Sequence, residues 1–72
     1  MKTLDLRGLT CPLPLLRTKK ALMNENSGMQ FKILSSDPNA SKDLHLFCEK
    51  SGNLWLESGE ENGAFFCVIQ KK

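Results

Sequence analysis

The chain has 72 residues, ten of them Lys or Arg and eight Asp or Glu, for a net charge of +2; 40% of the residues are hydrophobic and 25% charged. That is enough chain for one small core and too little for two. The composition is that of a folded protein rather than a disordered or collagen-like one, and the charge balance is too even to specify nucleic acid.

In chain order, TLDLRG at residues 3–8 alternates around Leu4 and Leu6 and meets a glycine, the pattern of a short strand running into a loop. From Pro12 to about Glu25 the residues are mostly Leu, Lys, Ala and Met, good helix formers, and Asn26-Ser27-Gly28 supplies a stop. MQFKILS at residues 29–35 alternates again. Two strands joined by a helix predict a right-handed parallel crossover. Asp37-Pro38 is a second helix start, an acid cap ahead of a proline at the first helical position. Ala40, Leu44, Phe47 and Cys48 then fall on one face of a helix ending near Ser51-Gly52. NLWLES and AFFCVIQKK read as the two strands of a hairpin turning through Gly59–Gly63. The order βαβαββ predicts an α+β fold of two layers, a mixed four-stranded sheet with both helices on one face. By alternation, Phe66 and Val68 point opposite Phe65, Cys67 and Ile69, so one of these sets faces away from the helices.

No stretch approaches the roughly 20 apolar residues that cross a bilayer. MKTLDLRGLTCP has no long apolar run after its lysine, so the expectation is a cytoplasmic protein with no secretory signal. Cys11, Cys48 and Cys67 are odd in number and too widely spaced for a zinc site, and His45 is the only histidine; no metal or cofactor is expected. Cys48 shares the apolar stripe of Leu44 and Phe47, and Cys67 alternates with Phe65 and Ile69, so both read as buried thiols. His45 reads as a surface residue.

Cys11 is different. TCPLP puts it directly ahead of Pro12 and Pro14, whose missing N–H groups fall among those that a helix start leaves unpaired. With Pro12 at the first helical position and Pro14 at the third, Cys11 becomes the cap. There the positive end of the helix and the amides of Leu13 or Leu15 favour the thiolate, which is the nucleophile. A parallel crossover brings both helix starts to one end of the sheet, with Asp37 capping its own helix there and Arg7 and Lys42 as candidates to support an anion. On the first helix, Leu13, Leu16, Lys20 and Met23 form a stripe apart from Leu15, Thr18, Ala21 and Leu22. Two readings stand for it: part of a wide core, or a docking patch for a partner protein beside the thiol.

LDLRGLTCPLP at residues 4–14, together with SDPNASKDLHLFC at 36–48, resembles the TusA, or SirA-like, family of sulfur carriers over essentially the whole chain. The resemblance implies one domain over residues 1–72 and the same βαβαββ fold. It implies a sulfurtransferase-type carrier in which the CPxP cysteine, Cys11, accepts sulfane sulfur as a persulfide and relays it, with Pro12, Pro14, Gly8 and Asp37 supporting the motif and no cofactor of its own. Its partners would be a persulfide donor, such as a cysteine desulfurase dependent on pyridoxal phosphate, and an acceptor protein. In some members the relay leads to 2-thiolation of tRNA, in others to sulfur oxidation or molybdenum-cofactor supply. No stable contact with nucleic acid and no membrane contact are expected, and the free protein is expected to be a monomer. The tRNA-thiolation members commonly carry glutamate between the prolines, where this chain has Leu13. The alternative reading is a non-catalytic module that uses the fold to bind protein or RNA in a regulatory role; a thiol redox role is a third.

Overall fold

The computed structural model describes residues 1–10 and 12–72. Its elements are β1 (Lys2–Asp5), α1 (Leu13–Met23), β2 (Gln30–Ser35), α2 (Pro38–Ser51), β3 (Leu54–Glu61) and β4 (Ala64–Gln70), the α+β order expected from the sequence. β1 pairs parallel to β2 with Leu4 opposite Ile33, and β4 lies antiparallel between β2 and β3, so the sheet order is β1-β2-β4-β3. The last hairpin therefore folds its second strand back into the middle of the sheet. There AFFCVIQ is paired on both sides, which is why it is the most apolar strand.

Both helices bury a stripe at i, i+4, i+8 against the same sheet face: Pro14, Thr18 and Leu22 from α1, and Ala40, Leu44 and Cys48 from α2. They close on Phe31 and Ile33 of β2 and Cys67 and Ile69 of β4, with Leu6 completing the core and Trp55 packed at its edge. Burying a side chain the size of Leu or Phe contributes roughly 1.5–3 kcal/mol, so this one cluster carries most of the stability available to so short a chain. Two buried polar groups sit in it without penalty. The Thr18 hydroxyl donates to the Pro14 carbonyl at 2.8 Å, and Ser35 Oγ accepts from the Asp37 amide at 3.1 Å.

The set Phe65, Cys67, Ile69 faces the helices, and Phe66 and Val68 face away. That outer face is not bare. Lys32 lies 5.2 Å from the Phe66 ring centroid, its ammonium 2.6 Å from the Glu61 carboxylate, and Val68 beneath is buried. One register shift, between Trp55 and Glu57, inserts Leu56 as an extra residue. It allows Trp55 to reach the core while Glu57 pairs with Val68.

Two boundaries differ from the sequence reading. The hairpin does not turn through Gly59–Gly63: Gly59, Glu60 and Glu61 pair with Phe66, Phe65 and Ala64, and the connection is only Asn62-Gly63, at φ of 51° and 79°. That is the two-residue Asn-Gly turn, with both residues at positive φ, whose twist matches the right-handed twist of the strands and outweighs the low strand preference of Gly-Glu-Glu. The second difference is the start of α1, taken up below. Placing a Cβ at the φ of +79° of Gly63 strains the backbone by on the order of 1–3 kcal/mol. Gly63→Ala should therefore lower the urea midpoint, with an unchanged m-value, while the neighbouring change Asn62→Gly should be nearly neutral.

Candidate functional site at the edge of the parallel strands

Because β1 and β2 run parallel, the segments leading from them into α1 and α2 leave the sheet at one edge. The Leu6 amide donates to the Leu34 carbonyl at 2.8 Å, carrying the pairing one residue past β1. The Gly8 amide then donates to Ser36 Oγ at 2.9 Å, tying the first loop to the second. Gly8 stands at φ +85°, the left-handed region that reverses the chain there, and Leu9 N–H bonds back to Leu6 O at 3.3 Å. Thr10 and Pro12 are both exposed. Cys11, the expected carrier of the chemistry, lies outside the described residues.

The helix begins one residue later than the sequence implied. Pro12, at φ −98° and ψ 13°, is the N-cap, Leu13 is the first helical residue and Pro14 the second. The cause is visible in the bonding: the Leu13 amide donates to the Thr10 carbonyl at 2.9 Å, and the first bond of the helix runs from Leu16 N to Pro12 O at 3.1 Å. Cys11 thus precedes the capping residue and is not itself the cap. Of the two amides expected to serve its sulfur, that of Leu13 is committed to Thr10. Pro12 and Pro14 have no N–H, so Leu15 is the remaining first-turn amide among the described residues. Pro12 has no side-chain acceptor and the first turn carries no acid, so no side chain of the described residues in that turn offsets the positive helix end.

Asp37 caps α2, Oδ1 accepting from the Asn39 amide at 2.9 Å. Lys42 is exposed one turn further along α2. Arg7 is engaged elsewhere: its Nε and Nη2 lie 2.8 and 2.7 Å from the two Asp5 carboxylate oxygens. This fork, with the Arg7 backbone amide, holds the Asp5 carboxyl down at about 2, and Asp5 in turn raises the guanidinium. Both side chains are exposed, so the pair is screened, and the Arg7 charge is spent locally rather than held open for an incoming anion.

The stripe of Leu13, Leu16, Lys20 and Met23 is not core. Leu13 is 43% exposed, Leu16 53% and Met23 78%, and Lys20 is exposed between them. Sequence reasoning treated Pro14 only as a helix-start residue, whereas it is fully buried. The signal for that was present in the Pro14, Thr18, Leu22 spacing. The Ser36 hydroxyl that ties the two loops was missed altogether; the only hint was a hydroxyl residue beside the Asp37 cap.

Cys48 and Cys67 are buried free thiols, pushed up to about 11 and about 12 by burial, Cys67 additionally by the neighbouring Cys48. His45 is exposed, 3.7 Å from Glu49 and tilted against the Trp55 ring at 5.0 Å. Among the described residues no group of His, Cys, Asp and Glu is arranged to hold a metal ion, and no helix is long and apolar enough to cross a membrane.

The family model described as sulfurtransferase TusA matches residues 2–71. The chain belongs to the TusA family of sulfur carriers. It is 44% identical over 68 residues to the sulfur carrier protein TusA of Allochromatium vinosum, covering 94% of this chain and 90% of that one. It is 42% identical over 71 residues to a protein of Neisseria meningitidis, covering 99% of this chain and 96% of that one. The crystal structure of a SirA-like protein from Desulfitobacterium hafniense superposes with a TM-score of 0.84 at 29% identity, covering 97% of this chain and 96% of that one. The TusA fold and the two-layer arrangement read from the sequence therefore coincide.

The two buried thiols generate a prediction about pH. A group whose folded pKa is raised above its unfolded value keeps its proton longer in the native state, so its stabilising effect is complete below the ordinary thiol value of 9.0 and declines as pH rises towards 11 and 12. In a Cys11→Ser background, the urea midpoint should fall between about pH 8 and about pH 10.5 more steeply than in the same protein carrying Cys67→Val. Equal slopes would mean that the thiol is not held protonated by the core.

Proposed function

We propose that Cys11 is the residue that carries the sulfur, cycling between thiolate and persulfide. The observation that carries the reading is a contrast among the three cysteines: two are sealed in the core with their thiols pushed up, whereas Cys11 stands between exposed Thr10 and Pro12 at the start of a helix. The Cys11 thiolate attacks the terminal sulfur of a donor protein's persulfide. A new S–S bond forms to Cys11 as the donor's S–S bond breaks, the donor leaves as a thiolate, and no net oxidation occurs. An acceptor thiolate then attacks the terminal sulfur of the Cys11 persulfide in the same way. Both states at Cys11 are anions, and the positive end of α1 with the Leu15 amide favours each.

The donor in this reading is a cysteine desulfurase or another protein persulfide, and the acceptor is a further protein of a sulfur relay in the cytoplasm, of which tRNA 2-thiolation is one. Leu13 between the prolines makes the surface beside the sulfur apolar. With Leu16, Lys20 and Met23 it forms the face on which a partner seats while the sulfur moves. The protein is a monomer when free, since its thiol serves two partners in turn.

Incubation with a cysteine desulfurase and cysteine, followed by intact-mass measurement, should show a gain of one sulfur atom that reductant removes and Cys11→Ser abolishes. If no protein or thiosulfate donor produces the gain, the fold serves as a binding or regulatory module instead. The double change Leu16→Glu, Met23→Glu should slow loading from the desulfurase by about tenfold or more while shifting stability by less than about 0.5 kcal/mol, because both side chains already face water. Loss of folding in that variant would return the stripe to the core.

A further inference from the structure

The helix layer has a second feature, beside α1 and clear of the exposed Leu13 and Leu16. A groove of about 400 Å³ lies between α1 and α2, lined by Leu15, Lys19, Asp43, Leu46, Phe47 and Lys50. A neighbouring hollow of about 340 Å³ shares Lys19, Phe47 and Ser51 with it and continues past Met23 to Lys71 and Lys72. The two form one trough along the seam of the helices. It starts at Leu15, one helical turn beyond Cys11 in sequence, and runs the length of α1, whose eleven residues span about 16 Å.

The trough has an apolar floor and a cationic rim. Leu15, Leu22, Leu46, Phe47 and Met23 supply the floor, and Lys19, Lys50, Lys71 and Lys72 stand against the single acid Asp43. The acids of the chain are concentrated elsewhere, three of them, Glu57, Glu60 and Glu61, on the hairpin strand at the far edge of the sheet.

We infer that this trough seats an acidic amphipathic helix of a partner protein, two or three turns long, with apolar side chains at i, i+4 spacing on the floor and carboxylates facing the lysines. A protein helix fits better than single-stranded RNA on one observation. Lys19 Nζ sits 5.7 Å from the Phe47 ring centroid, over the aromatic face on which a base would stack. The inference rests on the carrier reading only for its purpose: it gives a partner a hold on α1 that leaves the exposed Leu13 and Leu16 beside the CPxP segment uncovered.

The test is made with Cys11→Ser protein, so that binding is read without sulfur chemistry. The probe is a synthetic helical peptide with leucine at i, i+4 positions and glutamate elsewhere, compared with a scrambled peptide of the same composition and with a uridine oligonucleotide. Titration of the isotopically labelled protein should move the backbone amide signals of Leu15, Lys19, Leu46, Phe47 and Lys50 with the patterned peptide, and charge reversal by Lys19→Glu with Lys50→Glu should weaken its binding by about tenfold or more. Lys50→Glu with Lys72→Glu, both at exposed positions, is the second variant should the first not fold. Equal binding of the scrambled peptide, tighter binding of the oligonucleotide at these residues, absence of binding, or signals moving only on the open sheet face would each overturn the inference. None of these outcomes bears on whether Cys11 gains a sulfur atom from a desulfurase, which is read separately by mass.

Discussion

The parallel pairing of β1 with β2 is the constraint from which the site follows. Strands running the same way send their following segments out of the same edge, and the Leu6–Leu34 and Gly8–Ser36 bonds hold those two segments together beyond the last paired residues. Were the pairing antiparallel, the starts of α1 and α2 would sit at opposite ends of the sheet. CPxP and the Asp37-Pro38 turn would then have no physical relation. As it is, the positive ends of two helices are gathered at one edge, one closed by the Asp37 carboxylate and the other lacking a side-chain acceptor at its Pro12 cap. In the function proposed above, this asymmetry favours a sulfur anion at α1 over α2.

Much of this was legible in the residues because the local signals agreed with the global fold. Asp37-Pro38 with the Ala40, Leu44, Cys48 spacing determined both the start and the buried face of α2. The alternation in MQFKILS and AFFCVIQ fixed which side of each strand is core. What was illegible came from competition between signals of similar strength. Gly59-Glu60-Glu61 carries little strand preference and read as turn, yet the Asn62-Gly63 pair was the stronger turn former and the preceding residues followed it into the ladder. At the start of α1 two prolines compete for the first helical position. The winner follows the Pro14, Thr18, Leu22 spacing: Pro14 is buried with that stripe, and its carbonyl accepts from the Thr18 hydroxyl.

The exposure of Leu13, Leu16 and Met23 could not be decided from periodicity, since a wide apolar face on a helix can be buried or presented. The deciding quantity was the area of sheet available. The two helices share a four-stranded sheet with an edge strand, β1, of only four residues, so each helix buries a single i, i+4, i+8 stripe and no more. Leu15, Ala21 and Phe47 flank those stripes half-buried, while Leu13, Leu16 and Met23 lie further round and stay exposed. Their retention next to the CPxP segment is intelligible if another protein covers them during transfer.

On the reading proposed for Cys11, two of the three cysteines must be kept out of the exchange, and the fold does so through solvation. A thiol at about 11 leaves about one molecule in ten thousand ionised at neutral pH, and one at about 12 fewer still, so Cys48 and Cys67 are poor nucleophiles even before access is considered. The same core that stabilises the sheet thereby silences both. Pro12 and Pro14, without backbone donors, mark the start of α1 and leave few first-turn amides there. The number of donors left there is small, and Leu15 is the one that the prolines and the Thr10–Leu13 and Pro12–Leu16 bonds do not remove. In the function proposed above, an anion held by so few donors is stabilised only modestly, which suits a carrier that must pass its sulfur on.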